Sequence, residues 1–568
     1  MKFDRDTLLG IIICAVILFG WEPIGRALGW LPKPETPKAS VAPTNVQNPP
    51  SPAPGPTVVD APAGRPAEKP TPVAPKAQPA AAQKPLEISN RDMVLSVDRI
   101  TGGINSITLK DYRNAERTAR LSIDVSRGGQ GALELSSSGA SWVTTATSGV
   151  SSADGTAVLT REMVSDGNGH FTVIQTWNIG NSGYCTHYTV SVTNRGKQSL
   201  ALPGLLVNGG NLGTWQMVSG DKVRLPSHSL DYLTVNGELV DTKADKKDSV
   251  FFSGGSPMVR WAAVSNKYFC LILKGADSPY SLNRGRFYFG SGKNAAPCIS
   301  VNASLPGIVL APEESKTFSF DLYSGPKILR LLDEFDPSTG KVMHLAWGPL
   351  NYLARFMLWI LVKLHALTGN YGWSIILLTL LVRILFYPVT ARGNASMKKM
   401  QAIQPKIKEL REKYKDNPQL MNAKMMELYR AEGVNPFGGC LPILLQIPVF
   451  FALYATLEGA VELRQSSFLW CRDLAAADTI ARVNLYFFTL PINPLVLAMT
   501  GLMVLQQHMT PMSMDPMQKK MMLLMPFIML FFFYDLPSGL TLYWTVSNVF
   551  SIIQLRLQQR AKKSTVAA

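Results

Sequence analysis

Of 568 residues only 17% are charged and 46% are hydrophobic, and the mean hydropathy is +0.08. An average soluble domain is about 25% charged, so a purely soluble or disordered chain is excluded, and six cysteines are too few for a disulfide framework. The 56 Lys and Arg against 40 Asp and Glu leave a net charge of +16, but the excess sits beside long apolar runs and reads as membrane topology rather than nucleic-acid binding.

Residues 7–21 (TLLGIIICAVILFGW) are apolar without interruption and follow Lys2 and Arg5. They predict a retained signal anchor over 1–31, helical through Trp30 with Glu22 one turn before Arg26. A cleaved signal peptide ending near Ala27-Leu28-Gly29 is the alternative. Residues 32–85 are rich in Pro and Ala, bury no core, and predict an extended linker.

Residues 86–325 read as all-β. Runs such as MVLSVDRI, HFTVIQTWNI, HYTVSVTN and KTFSFDLY alternate, and Gly, Asn, Ser and Asp punctuate them at hairpin spacing. The expectation is a sandwich of two large antiparallel sheets. His170, His187 and His228 lack metal-ligand spacing, and Cys185, Cys270 and Cys298 can form at most one pair. Trp177, Trp215 and Trp261 fit a core better than a sugar-binding face. Neither a metal nor a cofactor is expected.

Residues 326–370 hold a short helix (PKILRLLDEF) and then WGPLNYLARFMLWILVKLHAL (347–367). Arg355, Lys363 and His365 interrupt the second run, which predicts an amphipathic helix in the outer membrane interface.

Five further segments, 371–391, 438–457, 491–507, 517–534 and 538–557, are near the length a bilayer needs. With the anchor they make six spans. Residues 392–437 hold ten basic and five acidic residues, whereas 458–482 hold three and four. Arg556, Arg560, Lys562 and Lys563 add charge to a tail at 558–568. By the positive-inside rule both termini and 392–437 are cytoplasmic, and 32–370 lie outside, in the periplasm of a double-membrane bacterium. The fold class is therefore a polytopic α-helical membrane protein with a large extracytoplasmic all-β sandwich domain.

The cytoplasmic stretch 393–433 predicts a helical hairpin about a Lys-Asp-Asn-Pro turn. One seam holds Met397, Met400, Ile403, Ile407 and Leu410; the other holds Met421, Met425, Leu428 and Tyr429. The seams either close on each other or, being rich in flexible methionine, meet varied apolar partners.

Arg383 lies about 3 Å along the axis from the middle of the 371–391 span, where an arginine costs about 2.5–3.5 kcal/mol. The spans at 438–457, 491–507, 517–534 and 538–557 contain no Asp or Glu, and Glu458 and Asp535 fall at outer ends. Arg383 must therefore face water, in a cavity open to the cytoplasm that Thr379, Gln446, Ser547 and Asn548 are placed to line. It either awaits an acid on another molecule or is merely hydrated.

The stretches TLLVRILFYPVT (379–390), SMKKMQAIQPKIKELREKY (396–414), VNPFGGCLPILLQIPVFFALY (434–454), DPMQKKMM (515–522) and PSGLTLYWTVSN (537–548) together resemble the YidC/Oxa/Albino family of membrane protein insertases. The six-span form with a large outer domain is similar to the Gram-negative type. The resemblance implies that five spans enclose a hydrophilic groove, with Arg383 as the groove arginine and Thr379 one turn away. It implies an exit face for substrate at Ile447, Pro448, Phe450, Tyr543 and Trp544. It also implies nascent inner-membrane proteins as substrates, cooperation with the Sec translocon, contact with lipid, action as a monomer, and neither enzymatic chemistry nor a cofactor. Trp544 departs from relatives with a second Tyr, LYFFTLP (485–491) makes the start of one span uncertain, and the short tail fits only weak ribosome contact. A small-anion transporter using Arg383 and a membrane-anchored carbohydrate-binding scaffold are the rival readings; no internal repeat supports the first, although Pro442 and Pro448 interrupt one span.

Overall fold

The computed structural model describes residues 84–567 apart from 115, 127–128, 138, 152–153, 167–168, 214–228, 244–255, 290–295, 416, 435–440, 485–488 and 510–515, and at some further positions, including 397–398, 441–445 and 558–567, the backbone alone. The expected anchor, the linker as far as residue 83, Trp215 and His228 lie outside the described residues.

Between Leu86 and Pro326 the described residues form nineteen strands. A meander of four (Leu86–Ser89, Met93–Val97, Ile104–Arg113, Arg120–Asp124) makes one sheet, thirteen strands make another, and Leu200–Leu202 pairs with Ile308–Leu310 in a small third. The period-two pattern of the sequence is what builds them. His170–Asn178 turns Phe171, Val173, Gln175 and Trp177 inward, and its neighbour Cys185–Asn194 turns Thr186, Tyr188, Val190 and Val192 to the same side. Cys185–Asn194 pairs in turn with Ser315–Pro326, placing Tyr188 opposite Phe320.

The two main sheets are therefore unequal, where the sequence predicts two large ones. The reason is a bend within the larger sheet. Strand Leu205–Leu212 shifts register between Asn208 and Asn211. Gly210 sits there at φ +84 and donates its N–H to Asn208 Oδ1 at 3.0 Å. Such a bulge sharpens twist and lets one sheet curl over itself. Leu205–Leu212 thus packs on Phe269–Gly275 without hydrogen bonding to it.

Trp177 and Trp261 are fully buried, which overturns a sugar-binding role for these two. Trp261 Nε1 donates to Ser338 Oγ at 2.7 Å, where the chain leaves the sandwich. Cys185 and Cys270 are free thiols.

Nine helices are described after the sandwich: α1 (Leu329–Phe335), α2 (Pro349–Thr368), α3 (Tyr371–Ala402), α4 (Gln404–Lys413), α5 (Pro418–Ala431), α6 (Leu441–Gly459), α7 (Pro494–Met509), α8 (Pro516–Phe533) and α9 (Ser538–Ala567). Of the described residues, α2 and the Tyr371–Gly393 part of α3 are long and apolar enough to cross a membrane. α2 buries Leu350, Ala354, Met357, Leu358 and Leu361 against α3 and α6, and turns Tyr352, Phe356, Trp359 and Val362 outward. Its outward face is apolar as well, with Arg355 half-buried and Lys363 exposed.

Three boundaries differ from those expected. α3 runs eleven residues past 391, to Ala402, because Ala, Met, Lys and Gln sustain a helix after the apolar run stops. α9 continues through the expected tail to Ala567. α7 starts at Pro494 rather than 491, because Thr489–Ile492 pairs with Ala481–Asn484 as a hairpin.

Candidate functional site

Along α3 one stripe faces the bundle: Ser374, Ile375, Leu378, Thr379 and Val382 are buried, and half-buried Arg383 comes next. α9 meets it with buried Tyr543, Ser547 and Asn548. Gly539 lets the start of α9 pass under the outer loop, since a Cβ there would already stand 3.1 Å from the Leu474 carbonyl.

The Arg383 guanidinium is bound by one residue of α9. Nε donates to Ser547 Oγ at 3.0 Å, and Nη2 donates to Ser547 Oγ at 2.5 Å and to the Ser547 carbonyl at 2.8 Å. Among the described residues no carboxylate lies within ion-pair distance of it. Among the described residues the arginine is therefore held by neutral acceptors on α9, where the sequence predicts that it faces water. Asn548 Nδ2 and Gln554 Nε2 are buried donors with no acceptor among the described residues. Gln446 reaches the Tyr543 hydroxyl, and Tyr543 also lies within the electrostatic reach of Arg383.

Thr379 is adjacent but contributes differently from expectation. It is buried, and its hydroxyl donates to the Ile375 carbonyl at 2.7 Å. A buried threonine in a helix satisfies itself on its own backbone in this way, so its hydroxyl lines no cavity.

The five residues assigned to the exit face divide. Ile447 is 39% exposed. Phe450 and Trp544 are half-buried and stack edge to face with ring centroids 5.3 Å apart, with Phe533 5.3 Å from Trp544. Pro448 and Tyr543 are buried. Tyr543 is one turn before Ser547 on α9 and so shares the arginine's side.

In the hairpin, Ile403, Ile407 and Val434 form a small core with Met400, Met425, Leu428 and Tyr429. The two seams close on each other. Met421 is half-buried outside that core, and the Met397 side chain lies outside the described residues.

The outer end of the bundle is covered. Phe468 lies so close under Gly372 that a Cβ there would meet its ring at 2.1 Å. The sandwich docks on the same loop: Tyr268 Oη donates to the Glu458 carbonyl at 3.1 Å, Lys267 pairs with the Glu458 carboxylate at 3.5 Å, and Arg464 donates to the Arg113 carbonyl at 2.6 Å. One ionisable cluster escaped the sequence reading. His344 Nε2 lies 2.8 Å from Asp231 Oδ1 and 3.9 Å from Asp241 Oδ2, three groups close enough to share a metal ion. Asp231 is fully buried, and buried Lys327 lies within its electrostatic reach. A resident cation next to Lys327 would be repelled, so the cluster is read as an ion pair. Nothing in the sequence joins residues 113 positions apart.

Two family models match the chain: "YidC periplasmic domain" over residues 85–360 and "60Kd inner membrane protein" over residues 363–565. The membrane protein insertase YidC of Geobacter metallireducens is 33% identical over 589 residues, covering 100% of this chain and 99% of that protein. The chain belongs to the YidC family of membrane protein insertases. The Geobacter sulfurreducens YidC is 37% identical over 384 residues, 67% of each protein. A solved structure, an active YidC insertase with its first transmembrane domain resolved, aligns over 84% of this chain and 93% of that one at 19% identity, with a TM-score of 0.36. The YidC periplasmic model ends inside α2, so the family boundary falls where the chain passes from the sandwich to the bundle.

Proposed function

We propose that this chain inserts newly made proteins into the bacterial inner membrane, with Arg383 capturing acidic residues in the outward-going tail of a substrate. The observation that carries the reading is a half-buried guanidinium held by a serine alone, in a bundle with no acid beside it among the described residues. A substrate carboxylate would replace neutral acceptors with a charge-assisted, two-atom pairing. The apolar segment of the substrate then leaves along the outward face near Ile447, driven by burial in lipid at about 25 cal/mol per Å² and aided by membrane potential on the tail. The topology of this reading has six spans, both termini and the hairpin in the cytoplasm, and the sandwich in the periplasm. Its partners are nascent inner-membrane proteins, the Sec translocon, lipid and, transiently, the ribosome.

The test is insertion into proteoliposomes that hold only this protein, scored by protease protection. Two substrates with the same apolar segment differ in one respect, an acidic or a neutral translocated tail. The wild type is expected to insert both, and Arg383→Ala to lose the preference for the acidic tail. Equal insertion of both tails by wild type and Arg383→Ala would remove charge capture. Anion flux through empty-handed vesicles, without protection of either substrate, would favour a transporter instead.

A further inference from the structure

Both engaged nitrogens of Arg383 are bound to Ser547, and neither acceptor there depends on the arginine. Nε and Nη2 take the Ser547 hydroxyl, and Nη2 also takes the carbonyl. That carbonyl accepts from Ser551 Oγ as well, at 3.0 Å, so it keeps a partner when the guanidinium leaves. A helical serine hydroxyl released from the arginine turns to the carbonyl four residues back, here that of Tyr543. The arginine therefore departs without orphaning anything on α9. Among the described residues all the printed hydrogen bonds of the guanidinium go to Ser547, and the next residue on α9 adds a further buried donor, Asn548 Nδ2, that has no acceptor among the described residues.

We propose that Ser547 is a positioning residue, a reversible rest that occupies the donor edge of Arg383 until a substrate acid displaces it. The inference rests on the groove reading above and adds to it the residue that sets how strong an acceptor must be to enter. A carboxylate outcompetes a hydroxyl for a guanidinium because charge-assisted hydrogen bonds are about twice as strong as neutral ones. A tail that offers only backbone carbonyls has no such advantage. Ser547 thus keeps the arginine paired between substrates and raises the threshold against uncharged tails.

The experiment uses the full chain in proteoliposomes and the two substrates already described, with initial insertion rates measured against substrate concentration. Ser547→Ala deletes the hydroxyl rest and keeps the carbonyl. The half-saturating concentration for the acidic tail is expected to fall about tenfold or more relative to that for the neutral tail, the size of at least one lost hydrogen bond to a charged group. Ser547→Thr retains a hydroxyl and is expected to restore the wild-type ratio. Ser551→Ala removes a donor that competes for the Ser547 carbonyl, tightens the rest, and is expected to move the ratio the other way. A rise in the acidic-tail value for Ser547→Ala, an equal shift on both tails, or no shift at all overturns the proposal. Arg383→Ala separates the two levels. If it keeps the acidic-tail preference, the groove reading itself fails; if it loses the preference while Ser547→Ala leaves the ratio at wild type, the rest alone fails.

Discussion

Arg383 resists the cost of its depth by geometry as much as by charge. A guanidinium presents several donors in one plane, and here two nitrogens reach one serine. A lysine keeps the charge but is a compact point donor on a flexible stem. Arg383→Lys is therefore expected to retain a reduced preference for acidic tails, between wild type and Arg383→Ala in the two-substrate assay. Full wild-type preference in Arg383→Lys would show that charge alone suffices. Trp544 acts by packing. It joins Phe450 and Phe533 in a three-ring cluster that links α6, α8 and α9. Trp544→Ala is expected to destabilise the bundle by about 3 kcal/mol, the low end for a large aromatic truncated to alanine because Trp544 is only half-buried. A lowered unfolding midpoint in detergent checks this, and a midpoint like that of the wild type would place Trp544 at the surface as substrate contact alone.

The hairpin of α4 and α5 is small enough that one side chain decides it. Ile407 is 3% exposed between the two seams, and Asn417 caps α5 by accepting the Leu420 N–H at 3.1 Å. Ile407→Ala is expected to cost the hairpin about 2–4 kcal/mol and Asn417→Ala about 1 kcal/mol. Hydrogen exchange over 404–431 reads both, with Ile407→Ala deprotecting the more. The same hairpin shows what a sequence makes legible. Its seams, its Asn-Pro start signal and its turn follow from local periodicity and capping chemistry. The extension of α3 to Ala402 does not, because an apolar run marks where lipid ends and not where a helix ends. At the site, a charge with no acid in any neighbouring span singles out Arg383, and polar residues in the spans single out Ser547 as a neighbour, but the direct hydrogen bonds between them are not legible in the sequence, which predicts hydration instead. The rotations of Pro448 and Tyr543 are not legible either, since a place in a motif does not say which way a helix turns. The curl of the large sheet and the His344 contact with Asp231 depend on pairings far apart in sequence, to which period-two and 3.6-residue patterns are blind.

At the scale of the molecule, the sandwich is fastened to the outer end of the bundle through ionisable groups, and their signs agree. His344, on the segment before α2, meets Asp231 and Asp241 on the strands Ser229–Thr234 and Leu239–Lys243, with buried Lys327 within electrostatic reach of Asp231 and His344. Burial alone would lower the His344 pKa, but the hydrogen bond and charge of Asp231, with Asp241 behind it, outweigh burial and hold it above its ordinary value. In the outer loop, Glu462 Oε2 is buried without a hydrogen-bond partner, and burial pushes its carboxyl up to about 7. Tyr112 from the sandwich and Tyr371 from α3 lie within its electrostatic reach. A raised histidine stabilises the fold below its unfolded value of about 6.5 and loses that contribution as pH rises through the folded value. A raised carboxyl behaves alike at lower pH: the fold favours its proton, and the contribution present below the unfolded value of 4.5 is lost by about 7. The two windows run in succession and in one direction. The unfolding midpoint of the purified chain in detergent is therefore expected to fall from about pH 5 upward, first as Glu462 and then as His344 loses its proton. Glu462→Gln should flatten the lower half of that profile and His344→Gln the upper half, each leaving the other half in place. A midpoint that climbs over this interval, or a His344→Gln profile that keeps its upper slope, would mean that these groups do not carry the junction.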